Sequence, residues 1–186
     1  GEEGVCDFSL GNPDLAPPSQ AAQAMQELTN NLDQPGILGY MPNGGFAWAR
    51  EKLALWLQDQ QKTHLEAGHV MLGCGAAGVM NAFFHTVLEP GDEVLVFAPY
   101  FSEYIPYIND TGANIHIVEA DTDHFQIRFD ALEAAMNERV NAVLINSPNN
   151  PSGVVYSEET LDKLSDFLRN KEQEYGHDIF LISDEP

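Results

Sequence analysis

Ala142-Val143-Leu144-Ile145-Asn146-Ser147-Pro148-Asn149-Asn150-Pro151-Ser152-Gly153 runs from an unbroken apolar stretch straight into a turn dense in asparagine, proline and glycine. A run of that kind reads as a strand buried on both faces, and the turn residues stop it sharply. In an open α/β sheet, ligands bind in the crevice beyond the carboxyl ends of the strands, so this turn is predicted to hold one. A second apolar run, Ile179-Phe180-Leu181-Ile182, passes at once into Ser183-Asp184-Glu185-Pro186. Two strands ending in polar turns set the terms for reading the rest.

Outward from these two strands, short apolar runs alternate with helical periodicity. Val70-Met71-Leu72 is a strand candidate, and Val79, Met80, Phe83, Phe84, Val87 and Leu88 then recur at helical spacing as far as the stop Glu89-Pro90-Gly91. Val94-Leu95-Val96-Phe97 and Asn114-Ile115-His116-Ile117-Val118 read as strands on either side of a helix after Ser102. Asp130 with Glu133 suggests a capping-box start for a helix over 131–138, and another helix begins near Ser157 with Leu161, Leu164 and Leu168 on one face. This alternation predicts an α/β fold in three layers, a mostly parallel sheet with helices on both faces. Upstream, helices over 19–31 and 44–61 flank the turn-rich stretch 34–45, and Phe46, Ala49, Leu53 and Trp56 form a stripe expected to pack into a core.

Composition excludes several classes of function. Against 29 acidic residues stand 8 basic ones, a formal charge of −21 that repels nucleic-acid backbones and anionic membrane surfaces. No apolar run approaches the roughly 20 residues needed to span a bilayer. Two cysteines, Cys6 and Cys74, make no disulfide framework and fit a reducing compartment, the cytoplasm by default. The chain opens Gly1-Glu2-Glu3-Gly4 without a methionine, so its start is expected to be incomplete.

Four predicted loops carry groups with chemistry to offer. Gly73-Cys74-Gly75-Ala76-Ala77-Gly78 precedes a helix, where bare amides and the helix dipole can hold a phosphate dianion. The same residues satisfy G-x-G-x-x-G, which keeps a dinucleotide reading open, although the strand 94–97 ends in Ala98-Pro99 rather than in the acidic residue that would hold a ribose. Pro99-Tyr100-Phe101 places two aromatic rings beside that loop; packing alone would also account for them. The Asn150 amide can donate a hydrogen bond to a phenolate oxygen, or serve only its own turn. Asp184 can pair with a protonated pyridine nitrogen, or cap a helix. No His, Cys or Asp cluster supplies metal-ligand spacing, so no metal is expected.

Taken together, Gly75, Phe101, Asn150 and Asp184 resemble the pattern of class I/II aminotransferases, fold type I enzymes that use pyridoxal 5'-phosphate (PLP). Asn150-Pro151-Ser152-Gly153 and Asp184-Glu185 are the most specific parts of the match. The resemblance implies that Gly75, Ala76 and Ala77 hold the phosphate, Phe101 stacks on the ring, Asn150 meets the ring oxygen and Asp184 the pyridine nitrogen. It extends to Ser9-Leu10-Gly11-Asn12-Pro13-Asp14, where Gly11 would lie beside the substrate carboxylate. Tyr40 would reach the phosphate of the partner in a homodimer.

The implied activity is amino-group transfer between an amino acid and a 2-oxo acid. The same scaffold also serves carbon–sulfur lyases and aminocyclopropane-carboxylate synthases, and a non-catalytic regulator or an NAD-binding module stays open as another class. By the resemblance, residues 1–45 form a segment of substrate-side and dimer-contact loops, 46–186 form part of the PLP-binding large domain, and a small C-terminal domain is absent. Lys52, Lys62, Lys163 and Lys171 all fall on predicted helices among polar neighbours and are expected to be solvated. The family's Schiff-base lysine is therefore expected beyond Pro186, and the 186-residue chain alone is expected to be inactive.

Overall fold

Backbone polar groups in a buried strand must be paired, and in this chain four apolar runs satisfy one another by lying parallel. The computed structural model describes Gly11 and residues 15–185. They form two compact units, one ending at Ala67 and the other starting at Gly68. Cys6, the stretch 12–14 and the 9–10 part of the glycine-containing segment lie outside the described residues, as does Pro186.

The second unit is built on strands β1 (Glu93–Phe97), β2 (Asn114–Val118), β3 (Val140–Asn146) and β4 (Phe180–Asp184), in the order β2-β1-β3-β4. Every neighbouring pair is parallel. Alternate side chains serve opposite faces, as the pleat requires. Val94, Val96, Ala142 and Leu144 pack with Phe84 of α3 (Gly75–Val87) and with Tyr104 and Ile108 of α4 (Tyr104–Asn109). On the other face Leu95, Phe97, Val143 and Ile145 meet Leu132 of α5 (Phe129–Ala135) and Leu164 and Leu168 of α6 (Glu158–Tyr175). This is the three-layer α/β arrangement that the alternation predicts. Chain order runs outward from β1 to β2 and then back across to β3, so the direction reverses between β1 and β3 and opens a crevice at their carboxyl ends.

Four expectations need correction. Residues 70–72 make no strand among the described residues, since an apolar run becomes one only when a neighbour accepts its ladder, and Met71 stays exposed. Helix α5 starts two residues before the capping-box reading, with Arg128 as its extended N-cap; Asp130 lies in the first turn and takes the Arg128 guanidinium at 2.5 Å instead of capping. Lys171 is buried rather than solvated: its ammonium donates to Glu133 at 2.7 Å and Glu174 at 2.8 Å, between the rings of Phe167 and Tyr175. Those carboxylates raise its pKa against the opposing effect of burial.

The first unit, which holds α1 (Ser19–Asn30) and α2 (Ala47–Gln61), departs from the fourth expectation. Within it, the stripe Phe46, Leu53 and Trp56 is exposed, and Ala54 is the buried residue of α2. Arg50 donates to the Ala67 carbonyl and the Leu65 amide donates to Gln58. Those bonds use the helix face of Arg50, Ala54 and Gln58, spaced four apart, and not the face of the stripe.

At the amino ends of the strands, buried Glu93 gathers three elements. Its carboxylate accepts from Asn137 Nδ2 at 2.9 Å and from the Arg139 guanidinium at 2.8 and 3.1 Å, with His116 Nδ1 at 3.5 Å. Burial alone would raise its pKa, but the bonds from Asn137, His116 and Arg139 outweigh it and hold the carboxyl below the ordinary glutamate value. A folded-state pKa below the unfolded one stabilises the fold above the unfolded value, and that gain disappears as pH falls through the folded one. Glu93→Gln is expected to lose about 1.5–3 kcal/mol at neutral pH, with the gap to wild type closing as pH drops below the ordinary glutamate range. Urea unfolding across that range measures both.

Candidate functional site

Each strand that ends at the crevice delivers a short polar segment, and hydrogen bonds between those segments assemble the site. Strand β4 closes on Asp184, whose alternation places it on the α3–α4 face with Ile182. There Tyr104, the first residue of α4, donates its hydroxyl proton to Asp184 Oδ2 at 2.5 Å. Burial and the adjacent carboxylate push the Tyr104 phenol well above its usual range, so it is a fixed donor. The Phe101 ring meets Tyr104 edge-on, with centroids 5.6 Å apart and planes at 81°, so the loop after β1 and the end of β4 are joined.

Strand β3 delivers the asparagine-rich turn. Asn149 donates from Nδ2 to the Pro99 carbonyl at 3.1 Å, while its Oδ1 accepts from the amide and hydroxyl of Ser152. The turn is thereby tied to the loop that carries Phe101. Asn150 is exposed, and its backbone amide donates to Asn146 Oδ1 at 2.6 Å. That leaves the Asn150 side-chain amide without a hydrogen-bond partner among the described residues, available to a ligand.

Helix α3 supplies the fourth part. Gly75 begins it at φ +70°, a conformation that side chains resist, with open space where a Cβ would stand. Gly73 is needed for another reason: a Cβ there would come within 2.6 Å of Val79. No side chain caps this helix, so the amides of its first turn have no side-chain acceptor. Ala76 and Asp184 line one cavity of about 360 Å³, together with Val79, Met80, Phe83 and Ile182. Of the predicted residues in the second unit, Ala76 and Asp184 share this cavity, Gly75 and Ala77 flank Ala76 on α3, Phe101 reaches Asp184 through Tyr104, and Asn150 reaches it through Asn146.

Gly11 and Tyr40 belong to the first unit, where both are exposed. Tyr104 and Asn149 join the residues that the sequence points to. Tyr104 lies three residues after Phe101, a helical spacing that puts both on one side of α4's start, and that signal was legible. Lys171, on α6, serves the opposite face of the sheet from Asp184. Among the described residues, no three His, Cys, Asp or Glu side chains gather as a metal site.

The sequence profile for aminotransferase class I and II matches residues 3–185. An aspartate aminotransferase of Thermotoga maritima is 33% identical over 98% of this chain and 46% of its own length. A probable N-acetyl-LL-diaminopimelate aminotransferase of Bacillus subtilis is 29% identical over 98% of this chain and 44% of its own. The crystal structure of an amino transferase from Eubacterium rectale superposes with a TM-score of 0.94 at 43% identity, covering 98% of this chain and 46% of that one. The chain spans about half the length of the curated relatives it matches.

Tyr104→Phe keeps the ring and its packing but leaves Asp184 without its phenolic donor. A loss of about 1.5–3 kcal/mol is expected for a bond to a charged group. Denaturant unfolding of the two proteins measures it, and equal midpoints would show that the bond adds nothing to stability.

Proposed function

The chain belongs to the class I and II aminotransferase family, and on that premise we propose that it carries the ring- and phosphate-holding groups of a PLP enzyme. The whole protein would move an amino group from an amino acid to a 2-oxo acid. The observation that carries this reading is the Asp184 carboxylate, held by Tyr104 at the rim of the cavity that also receives the start of α3. The residues present fit the cofactor: a fixed carboxylate for a pyridine nitrogen, an unbonded amide on Asn150, and a helix start of small residues for a phosphate. When bound, PLP supplies an electron sink that stabilises negative charge at the substrate's α-carbon.

The protein's part is to hold and polarise that group. Asp184 would pair with the pyridine nitrogen, and its negative charge would favour the protonated ring. Tyr104 donates to Asp184 Oδ2, which fixes the carboxylate's orientation. Asn150 would donate its amide to the ring oxygen, and Phe101 would cover one face of the ring. The first-turn amides at Gly75, Ala76 and Ala77 would take the phosphate.

In the first unit, Gly11 is assigned to the substrate carboxylate and Tyr40 to the partner's phosphate in a homodimer; the full exposure of Tyr40 supports a role outside its own subunit. Residues 46–186 are assigned to the PLP-binding domain. We assign the covalent anchor to none of this chain's four lysines, because Lys171 is committed to two glutamates and Lys52, Lys62 and Lys163 are exposed on α2 and α6 or just past α2. The exposed free thiol of Cys74 favours a reducing compartment, the cytoplasm.

The test uses the whole protein loaded with PLP and a panel of amino acids beginning with aspartate, the donor named for one of its relatives. A 2-oxo acid product is expected in step with amination of the acceptor. Asp184→Ala should lower turnover by about 10²–10³-fold while PLP capture weakens by less than about tenfold, since the phosphate contacts remain. Turnover unchanged by that substitution would remove Asp184 from the reaction.

Tyr40→Phe should weaken PLP binding by about 1.5–3 kcal/mol through one lost bond to a charged group. In mixed dimers of Tyr40→Phe with Asp184→Ala subunits, a site shared between subunits collects both defects and leaves the other site intact. Recovery of wild-type affinity in half the sites is the expected result, and a monomeric, fully active protein would contradict it.

A further inference from the structure

We propose that Asn146 is a positioning residue that sets Asp184 and Asn150 in one frame; the inference rests on assigning those two residues to the ring of PLP. Asn146 is the last residue of β3 and one of the few buried polar side chains, 5% exposed. Its amide is used at both ends. Oδ1 accepts from the Asn150 backbone amide at 2.6 Å, and Nδ2 donates to the Asp184 carbonyl at 3.0 Å. The same carbonyl takes the Ser147 amide at 3.2 Å, and the parallel register sets Asn146 directly opposite Asp184.

A short side chain that accepts from one segment and donates to another at once has to be an amide here. A carboxylate lacks the donor, a hydroxyl lacks the reach, and an aliphatic chain would leave the Asn150 amide and one lone pair of the Asp184 carbonyl without the partner that Asn146 gives each of them. The two residues that Asn146 joins are assigned to different atoms of the same ring, the nitrogen and the ring oxygen. Their spacing must therefore match a rigid planar ligand, and Asn146 bridges the two strand ends through a single rigid group. Small displacements in such frames weaken every contact that depends on them.

Two substitutions separate the two bonds. Asn146→Asp keeps the acceptor for Asn150 and removes the donor to Asp184, whereas Asn146→Leu removes both. Each variant of the whole protein is read in three ways: the PLP dissociation constant by dialysis, the pH dependence of the bound cofactor's visible absorption, and the exchange rate of the Asn150 amide proton.

Asn146→Leu is expected to weaken PLP binding about tenfold or more and to speed Asn150 exchange. Asn146→Asp should retain slow exchange at Asn150 yet shift the pH dependence of the absorption, because only the Asp184 end is released. In an Asp184→Ala background that shift should disappear. Wild-type affinity and absorption in both variants, with lowered unfolding midpoints alone, would make Asn146 a scaffold residue and overturn the proposal. If Asn146→Leu does not fold, Asn146→Asp with its background control decides the question alone. Failure of the wild-type protein to bind PLP would overturn the cofactor assignment itself, a result distinct from normal binding that is indifferent to residue 146.

Discussion

The parallel pairing of β3 with β4, ending with Asn146 opposite Asp184, is the constraint on which the site depends. Side chains alternate between faces along a strand, so a slip of one residue would carry Asp184 from the α3–α4 face to the α5–α6 face and away from Tyr104. The register is held from both sides by burial. Val143 and Ile145 are committed to one core cluster and Ala142, Leu144 and Ile182 to the other, so no shifted pairing satisfies both. Core packing thus fixes which polar groups face the crevice. The site costs the sheet little, because its groups begin where the apolar runs stop.

Charge is the second constraint. A chain with a formal charge of −21 is a poor place for a phosphate unless the local field is reversed. The start of α3 can do so with peptide dipoles alone: its first-turn amides lack a side-chain cap, and glycine and alanine let an anion approach closely. A few acidic residues are paired with cations inside the fold, as Glu93 is with Arg139, or Glu133 and Glu174 with Lys171. The Glu93 cluster pins the amino ends of the strands, opposite the edge where the site forms, so structural and chemical charges are kept apart.

Much of this was legible in the sequence. Strands at 94–97, 114–118, 142–145 and 179–182 stand within two residues of those found; the continuous apolar runs of the two central ones, β1 and β3, are what a doubly covered sheet needs, while β2 and β4 lie at its edges and are more exposed. Residues 70–72 looked the same and form no strand, since pairing is not a local property. The burial of Lys171 was illegible for a similar reason: one of its partners, Glu133, lies 38 residues away. The start of α5 went to a nearby ion pair rather than to the capping box. In the site, Gly75, Phe101, Asn150 and Asp184 could be read because polar or aromatic residues after strands and before helices have few structural reasons to be there. Tyr104 could not be matched to Asp184, 80 residues on, until the fold brought them together.

A crystal structure of the protein with PLP would show whether these residues hold the cofactor. The phosphate is expected against the amides of Gly75, Ala76 and Ala77, the pyridine nitrogen within hydrogen-bonding distance of Asp184, the Asn150 amide on the ring oxygen and Phe101 across the ring face. A cofactor bound elsewhere, or one bound in the crevice with Asp184 turned away to Tyr104 alone, would contradict that arrangement.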